Sequence, residues 1–560
     1  MDRRTILAIA LILIVAVLPS LLFRPSVLPT APAGPRAAES GDSVAPASGA
    51  VALPTPGETL RSPVQETDDL RTRRPSDQPT APEQIVIVES PLYRFSFSTR
   101  GARLVGAVLK HYRSFAPGDS GPANLVPAES RFLDYRVVFG VDTVNLSDWT
   151  FDPSAERVDV GPAGAELTWT ARRAGAVVTF RYRFTGSDYL FDVHGDLNVG
   201  GSQSGLVLVG MGPHLRMVES DSVEDRRSYS LVTKARSTER VDFSALAAGQ
   251  RKELPGPFGW VAFKTKYFVA AVLALDSGAP QFGGVAVVGG PRHGKQASNA
   301  IAFASLPAPN GVFSHSVYVG PQEYRRLAAI GHSLNDVNPY GWILRPVIQP
   351  FSVLIVRILL WMHEGLHLAY GWVLVLFGIA VCVVLWPLNQ KAMRSSMAMQ
   401  AVQPELKALQ DRHKNDAQKL QQEMMKLYRE HNVSPLGGCL PMLIPMPVLF
   451  ALFFVFANTI EFRGVPFLWL PDLSRADPLY IIPLLMGISM YGLSKIGQIG
   501  MPPNPQATMM LYIMPVMFTV LFLQFSSGLN LYYAVSNIAS IPQQWLISRE
   551  RLRRLGKPAT

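Results

Sequence analysis

The sequence predicts a polytopic α-helical membrane protein with six transmembrane helices and an exported all-β sandwich domain. Two patterns support this fold class. Uncharged apolar segments of bilayer-spanning length lie at the N-terminus and in the last third of the chain. Between them, short segments alternate apolar and polar residues with a period of two, as half-buried strands do. With 560 residues, of which 48% are hydrophobic, the chain is long enough for both parts.

Charge and cysteine usage exclude several classes of protein. The formal net charge is +10, but the basic residues flank apolar segments, which is a topology signal rather than a nucleic-acid surface. We therefore expect no DNA partner. Both cysteines, Cys382 and Cys439, fall within apolar segments, so the sequence predicts neither a disulfide framework nor a cysteine metal site.

The N-terminal region is predicted to be a membrane anchor followed by a tether. Residues 5–23 form an uncharged apolar stretch of 19 residues, which favours an uncleaved anchor within 1–23 over a cleaved signal peptide. Arg3 and Arg4 place the N-terminus in the cytoplasm, so the following segment is exported. Residues 24–84 contain 11 prolines with many alanines, which predicts a disordered exported linker.

Residues 85–322 are predicted to form the exported β-sandwich. Aromatic residues occupy alternate positions within 93–97 and within 180–184, with arginine or serine between them. Further short apolar runs are separated by Gly, Pro, Asn and Asp turns. No run carries a clustered acid pair or an Asp/His set, so we predict a structural or docking role for this domain.

The rest of the chain is predicted to be a membrane core. Residues 323–370 connect to it, and 345–370 is interpreted as an amphipathic interfacial helix because charged residues interrupt it. Five spans are predicted at about 371–388, 437–460, 478–495, 509–526 and 528–547. Segment 389–436 carries eight Lys/Arg and the tail 548–560 carries five, so both are expected in the cytoplasm.

The cytoplasmic segment 389–436 has the pattern of a helical hairpin. Its apolar residues recur at helical spacing with charges between them. The sequence RHKND (412–416) interrupts this pattern, which predicts two antiparallel helices.

One motif predicts an alternative function. HEGLH (363–367) matches the H-E-x-x-H pattern of zinc proteases, in which two histidines at i and i+4 share a metal ion. Glu364 would activate water between His363 and His367. No further acidic ligand is apparent in the later spans, so a pair of interfacial histidines is the other interpretation.

Three segments carry a family resemblance: WPLNQKAMRSSMAMQAVQPELKALQ (386–410), QEMMKLYREHNVSPLGGCLPMLIPMPVLFALFF (422–454) and FSSGLNLYYAVSNIASIPQQWLI (525–547). Together with the pattern across 340–550, they resemble the YidC/Oxa/Alb family of membrane protein insertases. The exported part is similar more loosely, at 99–113, 259–272 and 317–327. A large exported domain and an extra N-terminal span resemble the Gram-negative form of the family.

The resemblance implies a multi-pass protein of the bacterial inner membrane with a large periplasmic domain. Residues 371–547 would form a five-helix insertase core around a polar groove that is open to the cytoplasm and to lipid. Nascent membrane proteins would be the clients, and the Sec translocon, the ribosome and anionic lipid would be partners. The resemblance implies no enzymatic reaction, no cofactor and no metal.

The resemblance also suggests which residues meet the client. The family usually carries a groove arginine five residues before the proline at 387, where this chain has Cys382. Other polar residues within the spans are assigned to the groove, although each also fits an ordinary interhelical hydrogen bond: Asn458, Thr459, Gln524, Asn530, Tyr532 and Tyr533. Flexible methionines of the hairpin are assigned to client contact, with ordinary packing as the alternative: Met393, Met397, Met399, Met424 and Met425.

Overall fold

The computed structural model describes residues 82–139, 142–173, 175–198, 204–275, 281–291, 297–338, 340, 344–414, 416–431, 446–500 and 505–554. The predicted anchor, most of the predicted linker, the start of the second predicted span of the core and the end of the tail lie outside these residues.

The first part of the described chain is all β apart from one short α-helix and two 3-10 helices. Its strands run from Ile85 to Pro321: β1 Ile85–Glu89, β2 Tyr93–Ser98, β3 Leu104–Arg113, β4 Pro122–Asn124, β5 Asp134–Phe139, β6 Asp142–Asn145, β7 Asp152–Pro153, β8 Arg157–Asp159, β9 Ala165–Arg173, β10 Ala176–Phe184, β11 Leu190–Asn198, β12 Ser204–Met211, β13 Ser230–Lys234, β14 Thr238–Asp242, β15 Arg251–Phe258, β16 Trp260–Lys264, β17 Phe268–Ala274, β18 Phe282–Gly289, β19 Ala300–Pro309 and β20 Val312–Pro321.

These strands form three sheets with 5, 9 and 6 strands. Their orders are β4-β3-β2-β1-β8, then β14-β13-β16-β17-β20-β11-β10-β9-β7, and β15-β18-β19-β12-β5-β6. The two smaller sheets both pack on the nine-stranded sheet through aromatic side chains. Phe97 on β2 lies 5.4 Å from Tyr182 on β10, and Tyr135 on β5 lies 4.8 Å from Phe180 on the same strand, between ring centroids.

The period-two pattern in the sequence explains this packing. Phe180, Tyr182 and Phe184 are fully buried and point to one face of β10, because alternate residues of a strand share a face. Arg181 and Arg183 lie between them on the exposed face. Burial of a large aromatic side chain contributes roughly 1.5–3 kcal/mol, so the alternation selects which face becomes the core.

Nine described helices complete the chain: α1 Ser222–Ser228, α2 Tyr324–Ile330, α3 Arg345–Leu366, α4 Tyr370–Arg412, α5 Ala417–Glu430, α6 Met446–Asn458, α7 Ile481–Gly497, α8 Pro505–Phe522 and α9 Ser527–Arg554. The predicted combination of a β domain and a helical core is confirmed. The structure does not establish the predicted number of spans.

By length and composition alone, Arg345–Leu366 and Tyr370–Lys391 are apolar enough to cross a membrane. Pro447–Asn458, Ile481–Gly497 and Leu511–Phe522 are shorter apolar helices. A bilayer core needs about 20 helical residues, so these shorter helices do not by themselves support six spans. Helix α3 carries exposed apolar side chains as well as a buried face, and its interfacial orientation stays a prediction.

The helical core has its own apolar cluster. Helix α3 packs on α6, whereas α9 packs on both α4 and α7. The outward-facing side chains are apolar as well; for example, Val384 is 73% exposed and Ile488 is 68% exposed. A core that is apolar on its inside and its outside is typical of helices surrounded by lipid.

The helix pair at 370–430 differs from the predicted hairpin in one respect. Helix α4 is continuous over 43 residues, so the apolar segment and the first hairpin arm form a single helix. Helix α5 begins at Ala417, after the predicted break, and packs back on α4. Val402 and Leu427 are the buried residues of this contact, and Leu406 and Leu409 pack beside them.

Candidate functional site

Polar side chains line the contact between α4 and α9, and we call this set the polar seam: Cys382, Tyr532, Ser536 and Ser540. The Cys382 thiol donates to the Ser536 carbonyl at 3.4 Å and lies 3.4 Å from the Ser540 hydroxyl. The Ser540 hydroxyl also donates to the Ser536 carbonyl, at 2.7 Å. A Cβ on Gly378 would lie 3.3 Å from the Ser536 hydroxyl, so the glycine allows α4 to approach α9 closely here.

One hydroxyl next to the polar seam has incomplete hydrogen bonding. The Tyr533 hydroxyl is buried, and it has no hydrogen-bond partner among the residues that the structure describes. A buried hydroxyl without a partner costs about 1–3 kcal/mol, and this cost is removed when water or a polar ligand reaches it. The seam is therefore a place within the apolar core where a polar group is stabilised.

Tyr532 and Asn530 are positioned by their own neighbours. The Tyr532 ring lies 5.9 Å from Phe377 of α4 and 5.4 Å from Tyr533, between centroids. Asn530 is fully buried, and its amide donates to the carbonyls of Phe522 and Ser526 at 3.0 and 3.3 Å. These carbonyls belong to the end of α8 and the turn after it, so Asn530 caps that helix.

The other predicted groove residues lie elsewhere. Asn458 and Gln524 line a cavity between the helical core and the β domain. Thr459 follows Asn458 in the sequence and is buried, with only 6% of its surface exposed. The structure therefore places the predicted residues in separate locations, with Cys382 and Tyr532 at the seam and Asn458 and Gln524 at the cavity. Their contact with a client stays a prediction.

The sequence interpretation missed the polar residues along the rest of α9. Gln543 donates to the Trp386 carbonyl of α4 at 2.9 Å. On the side facing α7, Asn537 donates to Ser489 at 3.2 Å and Ser548 donates to the Ile496 carbonyl at 2.7 Å. Polar residues that recur at intervals of three or four within an apolar helix are the signal for such contacts.

The hairpin methionines are divided between the two helices. Met393, Met397 and Met399 lie in α4, and Met424 and Met425 lie in α5. Met425 is 42% exposed, and Met424 is half-buried. An exposed thioether on an amphipathic helix suits contact with varied apolar segments.

The HEGLH motif does not form a zinc site. Helix α3 ends at Leu366, and His367 has a left-handed backbone with φ of 53°, so the two histidines do not share a helical face. His363 donates through Nδ1 to the Leu368 carbonyl at 2.6 Å and stacks on Tyr370. Glu364 is paired with Arg325. Among the described residues, no group of three or more potential ligands is positioned to hold a metal ion, so the structure gives no support to the zinc protease alternative.

Two family matches together cover most of the described chain, and the boundary between them falls within α3. Residues 85–354 match the family described as YidC periplasmic domain, and residues 361–554 match the one described as 60Kd inner membrane protein. A protein from Ralstonia nicotianae named membrane protein insertase YidC is 31% identical over 549 residues, which cover 94% of this chain and 91% of the relative. The chain belongs to the YidC family.

A second relative agrees with the assignment to YidC. A protein of the same name from Syntrophus aciditrophicus is 29% identical, and the match covers 98% of this chain and all of the relative. A solved structure described as an active YidC insertase with its first transmembrane domain resolved is 18% identical, with a TM-score of 0.33. That match covers 82% of this YidC-family chain and 94% of the solved chain.

Proposed function

We propose that this chain is a membrane protein insertase that guides apolar segments of newly made proteins from the cytoplasm into the inner membrane. The observation that carries the proposal is the polar seam between α4 and α9. It places a thiol and hydroxyls inside helices that are otherwise apolar. Such groups provide hydrogen-bond partners for the polar part of a client while the client's apolar segment enters lipid.

The energetics need no nucleotide and no metal. An unpaired amide or a charge in hydrocarbon costs several kcal/mol, and polar partners part-way across the membrane lower that barrier. Transfer of the client's apolar segment into lipid releases about 25 cal/mol per Å² of apolar surface. The client itself therefore supplies the driving force, so that the protein acts without a chemical reaction.

The proposed topology has six spans, cytoplasmic termini and a periplasmic β domain. The charge distribution supports it, because eight Lys/Arg lie in 389–436 and five lie in 548–560. The helix pair formed by α5 and the second half of α4 would then face the cytoplasm. We propose that Met424 and Met425, with the methionines of α4, receive clients there.

The basic tail is proposed to contact anionic lipid or the ribosome, and the Sec translocon is a proposed partner. Part of the tail is already engaged within the protein. The Arg551 guanidinium donates to the carbonyls of Gly497 and Ile499 at 2.8 and 3.0 Å. It thereby caps α7, so the remaining cations of the tail would make any outside contact.

The test is insertion of a small one- or two-span client into liposomes that contain only this purified protein. Insertion is measured by protection of the client from added protease, with and without EDTA. We expect protection in both conditions. Absence of protection, or client cleavage that requires metal, would overturn the proposal.

A pair of variants tests the polar seam itself. Replacement of Ser536 and Ser540 by alanine removes two hydroxyls without adding bulk, and we expect roughly a tenfold slower insertion of clients with polar tails. Val384→Ala is the matched control, because Val384 is 73% exposed on the outside of α4. Equal insertion rates for the two variants would show that the polar seam takes no part in insertion.

A further inference from the structure

A large cavity of the described structure lies between the β domain and the helical core. Its volume is about 1520 Å³, which exceeds the roughly 300–1,000 Å³ of most small-molecule sites. The β domain supplies one wall through α1, β14 and β16, and the helical core supplies the other through α6 and the turn between α8 and α9. Neither the proposed insertion mechanism nor the fold requires a space of this size.

The wall formed by the helical core has polar residues such as Asn458 and Gln524 beside an apolar cluster. The members of this cluster are aromatic and aliphatic side chains at the helix ends next to the β domain: Phe453, Phe454, Phe456, Leu523, Phe525 and Leu529. This surface resembles the apolar part of a site for an amphiphile, because it offers area for a hydrocarbon chain and few hydrogen-bond partners.

The β-domain wall is charged, and its carboxylates have partners within the protein. Glu219 lies 2.7 Å from Arg463, Glu224 lies 3.0 Å from Lys266, and Asp242 lies 2.5 Å from Arg240. Glu239 pairs with Lys252, and Asp221 caps α1 by accepting from the amides of Val223 and Glu224. The negative charge of this wall is therefore largely compensated.

Four basic side chains line the cavity outside those ion pairs: Arg227, Lys264, Arg345 and Arg475. They come from four separate segments of the chain. The Arg345 guanidinium donates to the Thr238 carbonyl at 3.2 Å and to the Gln349 amide, both of which are neutral acceptors. The Lys264 ammonium donates to the neutral amide oxygen of Asn338. The lining holds six basic and six acidic side chains, Asp477 among them, and these four basic side chains are the ones that take part in none of the ion pairs above.

The cavity opens next to the lipid-facing surface of α7. Tyr480 lines the cavity and is 51% exposed, and it immediately precedes α7. On α7 itself, Leu484 and Ile488 are 52% and 68% exposed. An apolar chain that leaves the cavity past Tyr480 therefore continues onto an apolar surface suited to lipid.

We propose that this cavity binds an anionic phospholipid from the membrane leaflet next to the β domain. The phosphate is held by the four basic side chains, and an acyl chain lies along the aromatic wall and leaves past Tyr480. A soluble phosphate would make no use of the aromatic wall. Arginine is well suited to the headgroup, because its fork of donors matches two phosphate oxygens.

The burial of Lys264 supports the same assignment. Lys264 is only 3% exposed, and desolvation holds its pKa well below the usual lysine value. A phosphate that enters the cavity favours the charged ammonium and brings the lysine back toward protonation. The lipid thereby stabilises the junction between the two domains, whereas a neutral ligand does not.

The experiment uses the full chain in nanodiscs of phosphatidylcholine doped with photoactivatable phosphatidylglycerol. Cross-linked peptides are identified by mass spectrometry while the fraction of photoactivatable phosphatidylglycerol in the nanodiscs is raised. We expect saturable cross-links within 222–242 and 474–480. Arg345→Gln and Arg475→Gln should each raise the half-saturating fraction roughly tenfold, because each removes a charge-assisted contact. Arg475 has an exposed side chain, so we expect its replacement to have little effect on folding.

The matched control is Arg183→Gln, which removes an exposed cation of the β domain that is not among the cavity residues. It should leave the half-saturating fraction unchanged. Equal cross-linking by photoactivatable phosphatidylcholine would overturn the anionic preference. Complete displacement of the lipid by millimolar glycerol phosphate would show a site for soluble anions. Cross-links to a client peptide in place of lipid would show a polypeptide site. Either result would overturn the proposal. Client insertion is measured separately, because the proposal does not depend on it.

Discussion

The Arg463 guanidinium lies 2.7 Å from the Glu219 carboxylate, and their side chains are 3% and 12% exposed. This ion pair joins the loop after α6 to the β domain. The same guanidinium donates to the Arg113 carbonyl at 2.8 Å and lies 4.3 Å from the centre of the Phe115 ring. One side chain from the helical core thus holds several parts of the β domain, so the two domains are expected to lose stability together when it is removed.

Replacement of Arg463 by methionine should destabilise the junction by about 3–5 kcal/mol, because it leaves the Glu219 carboxylate buried without its partner. The measurements are thermal unfolding of the full chain and the rate of proteolysis between the domains. Arg183→Gln is the control, since Arg183 is 64% exposed in its pair with Glu166 and such pairs contribute about 0–1 kcal/mol.

The double variant Arg463→Met with Glu219→Gln should recover part of the lost stability, because the remaining group is then neutral. A double variant that loses as much stability as the sum of both single variants would show that the two side chains act independently.

Asp225 should make the stability of the full chain depend on pH. Burial, with a smaller effect of the Glu219 charge, raises the pKa of Asp225 to about 7. An unfolded chain has an aspartate pKa near 3.9, so the folded state binds more protons between about pH 4 and pH 7. Stability should therefore fall as the pH rises through this window.

The measurement is the melting temperature between pH 5 and pH 8. We expect it to fall with rising pH in the wild type and to change less in Asp225→Asn, which has no titrating carboxyl. The asparagine still accepts from the Lys266 amide, whose distance to Asp225 is 3.3 Å. Identical pH slopes for the two proteins would rule out Asp225 as the source.

Replacement of Asn530 and replacement of Gln524, two predicted groove residues, should have different effects on stability. Asn530→Ala removes an amide that donates to carbonyls at the end of α8, and it should cost about 1–3 kcal/mol. Gln524 is exposed at the cavity, so Gln524→Ala should change stability by less than about 0.5 kcal/mol. Thermal unfolding in detergent measures both. Equal destabilisation would contradict the capping role of Asn530.

Cys382→Arg should favour clients with acidic tails. The thiol lies at the polar seam beside Ser536 and Ser540, and a guanidinium there would attract a carboxylate within the membrane. We expect roughly threefold or greater insertion of an acidic-tailed client, equivalent to about 0.6 kcal/mol or more. Cys382→Ser and a client with a neutral tail are the controls. Unchanged insertion of the acidic client by Cys382→Arg would refute the prediction.

Glu364→Gln should leave both insertion and stability nearly unchanged. The carboxylate pairs with Arg325, and their side chains are 44% and 57% exposed, so the pair contributes about 0–1 kcal/mol. The assays are client insertion and thermal unfolding. Loss of a metal-dependent peptidase activity in this variant would instead restore the zinc interpretation.

Local patterns in the sequence determined the main divisions of this protein. The alternation at 93–97 and 180–184 predicts strands because successive side chains of a strand point to opposite faces. The apolar length of 371–386 and the charged pattern after it predict a helix that leaves lipid for water. Both signals depend on neighbouring residues alone, so they are visible without the fold.

Tertiary structure decided which polar residues meet one another. Cys382 and Ser536 are 154 positions apart, and Arg463 and Glu219 are 244 apart, so no local spacing relates them. The same limit explains HEGLH: its spacing fits a zinc site, but α3 ends at Leu366 before the second histidine joins the helical face. Hydrogen bonds and ion pairs act over a few ångströms in space, and only the folded chain determines which distant residues come that close.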